Sequence, residues 1–242
     1  MPYFAVLIIS SELKNFLSRL WRISKRVLLI LFIAHLVYIV LLKWVNPPIT
    51  ITQLGSWLSG NGLKRDYISH EKIPGYAKLA VIASEDQMFP DHNGFDFKSI
   101  KKAMAYNEKK PGRVKGASTI SQQVAKNVFL WQGRSWFRKG LEVYFTFMIE
   151  LIWGKKRILE IYMNVAEMGK GVFGIEACSR YNFKTPAKNL SRAQAAMIAA
   201  SLPNPIAYTI RPRSRYVSVR YPWVMRQMNF LVKDPDVLKV IN

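Results

Sequence analysis

An uninterrupted apolar run near the N-terminus constrains this chain more than any other feature. Residues Val27–Leu42 read VLLILFIAHLVYIVLL and carry no formal charge. Extended to Val45, the run is about as long as a helix needs to cross a bilayer. A cleaved signal peptide and a buried core helix are the alternatives. Because the following residues, which include Pro47 and Pro48, make a poor cleavage site, the run is interpreted as a retained membrane helix over residues 27–46.

The distribution of positive charge around this run predicts its orientation. Five basic residues precede it: Lys14, Arg19, Arg22, Lys25 and Arg26. From Asn46 to Leu63 there is no Lys or Arg. The positive-inside rule therefore predicts a single-pass protein of the inner membrane, with residues 1–26 in the cytoplasm and the rest outside. In a bacterium that side is the periplasm.

The formal net charge of +21 favours anionic partners. Nucleic acid, anionic lipid headgroups and a phosphorylated substrate all fit such a field, and composition alone does not choose among them. The predicted location outside the cytoplasm argues against nucleic acid. The single cysteine, Cys178, allows no intramolecular disulfide, and its small and apolar neighbours predict a buried thiol rather than a nucleophile.

The rest of the chain predicts a mainly α-helical domain at 76–232, after a linker at 47–75 and before a tail at 233–242. Apolar residues recur at helical spacing, with little strict alternation. The predicted helices are 76–85, 96–107, 118–130, 136–153, 155–166, 172–180, 191–202 and 215–232. Between the second and third, residues 107–116 are polar, basic and contain Gly and Pro, which predicts a mobile loop.

Glu85 and Asp86 follow the apolar helical stretch AKLAVIAS. A carboxylate at the end of such a stretch can be partly desolvated, which raises its pKa and suits it to acid–base catalysis. The alternative is a solvated residue at a helix end. His92 is interpreted as a turn residue that hydrogen-bonds locally. With only three histidines in the chain, no spacing resembles a metal site.

The segment 116–127, GASTISQQVAKN, has two interpretations. Thr119 and Gln122 fit a capping box at a helix start. Ser118, Gln122 and Lys126 also fall at i, i+4 and i+8, on one helical face that would suit a sugar phosphate. A solvated polar face is the alternative.

Arg138 and Glu142 form a second polar group, together with Arg134 and Lys139. The first two are spaced i, i+4, so a surface salt bridge worth a few tenths of a kcal/mol is one interpretation. The helix that continues from Glu142 is strongly apolar, so this carboxylate could instead be buried against the cations. Glycosyl-transfer sites commonly use a carboxylate pair, and Glu85 and Glu142 are candidates.

Together these segments resemble the family-51 peptidoglycan glycosyltransferases over residues 76–232. The matching motifs are E-D-x-x-F-x-x-H-x-G at 85–94, G-A-S-T-I-S-Q-Q-x-x-K-N at 116–127, R-K-x-x-E at 138–142 and K-x-x-I-L-E-x-Y-x-N at 155–164, with a weaker fifth at 220–228. The single membrane helix and residues 131–139 look most like the monofunctional branch. Ser-x-x-Lys occurs three times, but Lys-Thr-Gly and Ser-Asp-Asn are missing, so no transpeptidase activity is expected.

The resemblance implies a lysozyme-like, two-lobed helical fold whose smaller lobe is membrane-associated. It implies an enzyme that joins lipid II to a lipid-linked glycan chain through β-1,4 bonds, with inversion and release of undecaprenyl pyrophosphate. Glu85 would be the general base and Glu142 the second essential carboxylate. The implied substrate-binding residues are Asp86, Ser118, Thr119, Gln122, Gln123, Lys126, Asn127, Arg134, Arg138 and Lys139.

Within that set, Lys126, Arg134 and Arg138 would neutralise the leaving pyrophosphate, and Ser118 and Gln122 would bind donor sugar or phosphate. A divalent cation, Mg or Mn, could help to screen the pyrophosphate, although no dedicated ligand cluster is present in the sequence. Partners beyond substrate and membrane would be proteins of cell-wall synthesis or division. The alternatives are a lysozyme-like glycan hydrolase, which has little use for these cations, and a non-enzymatic polyanion-binding module, which needs neither carboxylate.

Overall fold

The computed structural model of the chain describes residues 2–242, apart from 111, 113, 114 and 134. It divides into two compact units, Met1–Trp44 and Val45–Asn242. The mainly α-helical class predicted from the sequence is confirmed.

The first unit is built on one long helix, α1, which spans Pro2–Leu41. Its part from Leu13 to Leu41 is long and apolar enough to cross a membrane. At 1.5 Å per residue these 29 residues rise about 44 Å, more than the thickness of a hydrocarbon core. The predicted boundary at Val27 is not a break in the backbone, because Lys and Arg are good helix formers and the helix continues through them.

The second unit contains ten further helices and three short strands among its described residues. The helices are α2 (Ile51–Leu58), α3 (Gly75–Glu85), α4 (Phe97–Lys109), α5 (Ile120–Phe129), α6 (Trp136–Ile152), α7 (Lys155–Val165), α8 (Ile175–Phe183), α9 (Arg192–Ser201), α10 (Arg215–Leu231) and α11 (Pro235–Ile241). The strands are β1 (Lys64–Arg65), β2 (Glu167–Gly169) and β3 (Val172–Phe173). Their order in the sheet is β1-β3-β2, with β1 parallel and β2 antiparallel to β3.

All eight predicted helices are present, and the largest difference is in α8, which lies three residues later than predicted at both ends. The predicted helix at 172–180 begins at Ile175 instead, because Val172 and Phe173 pair in the sheet. Gly174 separates strand from helix with a φ of 83°, where a Cβ atom would lie 2.5 Å from the Asn164 carbonyl oxygen. Only glycine fits such a turn at low cost. Of the predicted loop 107–116, the first three residues belong to α4, and 111, 113 and 114 lie outside the described residues.

The segment 47–75, predicted as a linker, is folded. It contains α2, capped by Thr50, and β1, which pairs with β3 far along the chain. The tail at 233–242 is also folded, because Val237, Val240 and Ile241 form an apolar stripe at helical spacing. These residues are buried, and α11 contacts α3 and α7.

Helix α3 lies at the centre of the core and brings its last residues to the site. Its residues from Ala77 to Ala83 are buried, and it packs against α9 and α10. Helix α5 packs against α6 and α7. Cys178, on α8, is buried as predicted, and burial raises the pKa of its thiol to about 12, so it is not a nucleophile.

Candidate active site

Glu85 is the last residue of α3, where the buried helix reaches an open cavity. Its side chain is half-buried, and Oε2 accepts a hydrogen bond from Gln123 Nε2 on α5 at 2.9 Å. Burial raises the pKa of Glu85 above its ordinary value, against the opposing effects of the Gln123 hydrogen bond and the Arg220 charge. Of the two interpretations of Glu85, the structure therefore favours the partly desolvated carboxylate over the solvated residue at a helix end.

Asp86 joins the end of α3 to the start of α5. Its buried carboxylate accepts a hydrogen bond from the Ile120 backbone N–H at 2.9 Å. Both carboxylate oxygens also lie 3.1 Å from His92 Nε2. Because His92 Nδ1 accepts from the Gly94 N–H, we assign the ring proton to Nε2, which donates to Asp86. Asp86 is thus held by protein groups, and His92 has the local turn role predicted for it.

The capping box predicted at Thr119 and Gln122 is present. The Thr119 hydroxyl oxygen accepts from the Gln122 N–H, and Gln122 Oε1 accepts from the Thr119 N–H. The predicted polar row of Ser118, Gln122 and Lys126 is interrupted, because the helix begins only at Ile120 and Gln122 is buried. Ser118 is exposed ahead of the helix.

Gly94 allows the turn between α3 and α4 to pack tightly against α6. Its φ is 89°, and a Cβ atom there would lie 2.7 Å from Thr146 Cγ2. The Gly94 carbonyl oxygen accepts a hydrogen bond from the Thr119 hydroxyl at 2.7 Å. Lys155, which begins the fourth motif, donates to the His92 carbonyl oxygen and pairs with Glu150 at 2.7 Å. The motifs therefore support one another through side-chain and backbone contacts.

Glu142 lies on α6 with only 3% of its surface exposed. One carboxylate oxygen accepts from Arg138 Nη1 at 3.0 Å, and the other pairs with Lys139 Nζ. Since Arg138 is also buried, the interpretation as a surface salt bridge is wrong. No described residue accepts a hydrogen bond from the buried Nε of Arg138. A buried charged donor without a partner is costly, which points to a ligand that supplies one.

Lys126, on α5, interacts with both candidate carboxylates. Burial, Arg138 and Lys139 lower the pKa of its ammonium group, whereas the negative charges of Glu142 and Glu85 raise it. Among the described residues, none forms a hydrogen bond or close ion pair with this ammonium group. We call Lys126, Arg138, Lys139 and the carboxylate that holds the last two, Glu142, the cation cluster. Its Lys126 ammonium group and Arg138 Nε are donors available to an anion. Arg134, predicted to join them, lies outside the described residues.

Two cavities flank the contact between Gln123 and Glu85. The first, of about 460 Å³, is lined by Glu85, Ser118 and Lys102 among others, and is called the Glu85 cavity. The second, of about 190 Å³, is lined by Gln123, Lys126 and Asn127 and is called the Lys126 cavity. Glu85 thus lines one cavity and Lys126 the other, on either side of the Gln123–Glu85 hydrogen bond, whereas Arg138 and Lys139 line a separate surface pocket. A carboxylate and an ammonium group placed in this way suit a displacement with a proton acceptor on one side and an anionic leaving group on the other.

Two residues near Glu85 were not singled out as site residues from the sequence. Tyr162, on α7, donates a hydrogen bond from its hydroxyl to Gln123 Oε1 at 3.2 Å. Arg220, on α10, acts electrostatically on Glu85, and its guanidinium lies 3.6 Å from the ring centroid of Trp223. Both belong to recognised motifs, at 155–164 and 220–228, and motif membership was the only available signal.

The residues beside the cation cluster do not fit a resident divalent cation. In the part of the chain that the structure describes, no three His, Cys, Asp or Glu residues are grouped to hold a metal ion. Glu142 has both oxygens engaged by Arg138 and Lys139, and Mg²⁺ and Mn²⁺ prefer carboxylate and carbonyl oxygen ligands.

Comparison with known proteins gives consistent matches. The family model described as Transglycosylase matches residues 51–229. A biosynthetic peptidoglycan transglycosylase of Pseudomonas aeruginosa is 47% identical over 230 residues, which cover 93% of this chain and 99% of the relative. Proteins of the same name are 59% identical in Mannheimia succiniciproducens, over 69% of this chain and 68% of the relative, and 50% identical in Pseudomonas entomophila, over 89% and 93%.

Proposed function

This chain belongs to the transglycosylase family, and we propose that it polymerises lipid II into β-1,4-linked glycan with release of undecaprenyl pyrophosphate. The observation that carries the proposal is the pairing of a desolvated carboxylate, Glu85, with a cation cluster in which the Lys126 ammonium group and the Arg138 Nε have no hydrogen-bond partner among the described residues. A glycan hydrolase needs the first feature but has no anionic leaving group for the second.

Glu85 acts as the general base. The 4-hydroxyl of the acceptor sugar enters the Glu85 cavity and gives its proton to the carboxylate. Its oxygen forms a bond to the anomeric carbon of the donor as the bond from that carbon to the pyrophosphate oxygen breaks, and the anomeric centre inverts. A raised pKa strengthens Glu85 as a proton acceptor.

The cation cluster stabilises the leaving group. Pyrophosphate departs with negative charge, so it needs charge neutralisation rather than protonation. Lys126 and Arg138 offer an ammonium group and a guanidinium Nε–H that no described residue occupies. We assign Arg134 to the same role on its motif position alone, and we assign Asn127 and Gln123 to the donor side because they line the Lys126 cavity.

Glu142 orients the cations rather than taking a proton. Each of its oxygens is bound to a cation, Arg138 or Lys139, which leaves it poorly placed to act as a second acid or base. Ser118 lines the Glu85 cavity and not the Lys126 cavity, so we assign it to the acceptor rather than to the donor. Asp86, Thr119 and Gln122 support the site by holding the start of α5.

Helix α1 anchors the protein in the inner membrane, with the catalytic unit in the periplasm. The support is its apolar length and the basic residues that precede Val27. The substrate's lipid tail lies in the same bilayer, and the net positive charge suits both pyrophosphate and anionic headgroups. Proteins of cell-wall synthesis or division are the partners such a location makes available.

The test is the initial rate on purified lipid II with the full chain in detergent, scored as polymer that lysozyme digests. Glu85→Gln should lower the rate about 10²–10⁴-fold, since it removes the base. Lys126→Ala should lower it about 10²–10³-fold, the usual effect of losing one donor to developing charge.

Matched controls are Glu71→Gln and Lys188→Ala, which change side chains away from both cavities and should keep the normal rate. Circular dichroism confirms folding of all four variants. Near-normal polymerisation by Glu85→Gln would refute the proposed base. Normal rates in Lys126→Ala, with cleavage of lipid-free glycan by the unmodified protein, would favour the hydrolase.

A further inference from the structure

Tyr162 is a buried phenol to which the reaction described above gives no task. It lies on α7 with 1% of its surface exposed. Its hydroxyl donates to Gln123 Oε1 at 3.2 Å, and Gln123 Nε2 donates to Glu85 Oε2 at 2.9 Å. Side chains from α7, α5 and α3 therefore form one hydrogen-bonded series that ends on the proposed base.

The direction of this series is set by chemistry. An ionised carboxylate only accepts hydrogen bonds, so Gln123 must turn its NH₂ group toward Glu85. Its carbonyl oxygen then needs a donor, and Tyr162 supplies one. Burial, with the charges of Glu85 and Asp86, holds the pKa of Tyr162 well above its ordinary value, so the phenol keeps its proton at any working pH. A reversed amide would place its oxygen against the carboxylate.

We propose that Tyr162 is a positioning residue that acts through Gln123 to hold Glu85 ionised and directed at the acceptor. The inference rests on the proposed role of Glu85 as general base. A hydrogen bond to the charged form of an acid favours that form, so the series opposes the effect of burial. After Glu85 takes up a proton, the same preference promotes its release to water before the next cycle.

The experiment measures kcat and KM on lipid II as a function of pH, using the full chain in detergent. Tyr162→Phe removes only the hydroxyl. It should lower kcat about three- to tenfold, move the acidic limb of kcat/KM about half a unit to higher pH, and leave KM within about twofold. Gln123→Met keeps the side-chain length, removes the donor itself, and should move the limb by about one unit.

The double variant and a control make the test specific. If Tyr162 acts through Gln123, adding Tyr162→Phe to Gln123→Met should move the limb no further. Tyr76→Phe is the matched control, because its hydroxyl donates to the Leu190 carbonyl oxygen instead, and it should leave the profile unchanged. Thermal unfolding of each variant confirms that it is folded.

An unmoved acidic limb with a raised KM in Tyr162→Phe would overturn the inference, since it would mark Tyr162 as a substrate contact. Additive shifts in the double variant would also overturn it. Should Tyr162→Phe fail to fold, an unmoved limb in Gln123→Met decides against the inference. If Glu85→Gln retains activity, the proposed function itself is refuted. If Glu85→Gln is inactive but the acidic limb of kcat/KM is unmoved in Tyr162→Phe and Gln123→Met, only the positioning role is refuted.

Discussion

Burial of Glu85 has opposite effects on the proposed chemistry and on folding. The raised pKa strengthens the base. However, an ionised carboxylate that is partly desolvated destabilises the folded state relative to the unfolded chain, in which the same group is solvated. The Gln123 hydrogen bond offsets part of this destabilisation. Replacing Glu85 by an uncharged residue should therefore show how much this ionised side chain destabilises the folded protein.

We expect Glu85→Gln to be more stable than the unmodified protein, by an amount that grows with pH. A carboxylate whose pKa is raised by folding contributes fully below the unfolded-state pKa, and its contribution falls as pH rises toward the folded-state pKa. A glutamine at this position does not ionise, so its contribution to stability does not change with pH. The gain at neutral pH should be about 1 kcal/mol, or roughly 2–4 °C in the unfolding midpoint, and should vanish near pH 4.

Unfolding midpoints of both proteins across this pH range provide the measurement. Glu108→Gln, at an exposed position on α4, is the control and should show no gain that grows with pH. A Glu85→Gln protein that is equally or less stable at neutral pH would contradict the desolvation of Glu85.

The sequence predicted single side chains well where a local pattern governs them. The apolar run before Glu85 gave desolvation as one of two interpretations, and the Thr119–Gln122 spacing indicated the capping box. The roles of Tyr162 and of the Arg138 Nε, which pairs with no described residue, could not be predicted, because they depend on how distant helices pack.

At the scale of elements, the turn at Gly94 joins three helices to the site. It follows α3, accepts a hydrogen bond from the cap of α5, and lies so near α6 that a Cβ atom added to it would clash with Thr146. Its left-handed φ and the short distance to Thr146 leave no room for a side chain. The helix ends that carry Glu85 and Thr119 are therefore held at a fixed spacing by a residue with no chemistry of its own.

We expect Gly94→Ala to destabilise the protein by about 1–3 kcal/mol and to lower activity with it, through backbone strain and the clash with Thr146. Denaturant unfolding gives the free energy, and the lipid II rate gives the activity. Gly140→Ala on α6, where a Cβ atom meets nothing within 4 Å, should be neutral or slightly stabilising. Equal stability of the Gly94→Ala and unmodified proteins would contradict the required turn.

Helices with a strong apolar period were predicted close to their observed ends, whereas short elements were missed. Strand β1 has two residues and exists because β3, far along the chain, pairs with it. Helix α11 is seven residues long and is stabilised by burial of Val237 and Ile241 rather than by propensity. A local pattern cannot predict an element whose stability comes from tertiary contacts.

At the scale of the whole molecule, the charge distribution predicts which side of the membrane each part occupies. Basic residues from Lys14 to Arg26 lie ahead of the uncharged run Val27–Leu42, and none lies between Asn46 and Leu63. A phosphatase reporter that folds only in the periplasm, fused after Asn242, should be active. Replacing Arg22, Lys25 and Arg26 by neutral residues should reduce that activity, and a reporter active only in the cytoplasm would refute the orientation.

Helix α1 also determines the variable on which the reaction rate depends. An enzyme anchored by a 29-residue membrane-spanning segment and a substrate held by its own lipid tail meet within the plane of the membrane, not within a volume of solution. Their encounter frequency then follows the surface density of substrate, so inert lipid or detergent slows turnover by dilution even when every bulk concentration is unchanged. For such an enzyme a Michaelis constant is a mole fraction of the membrane.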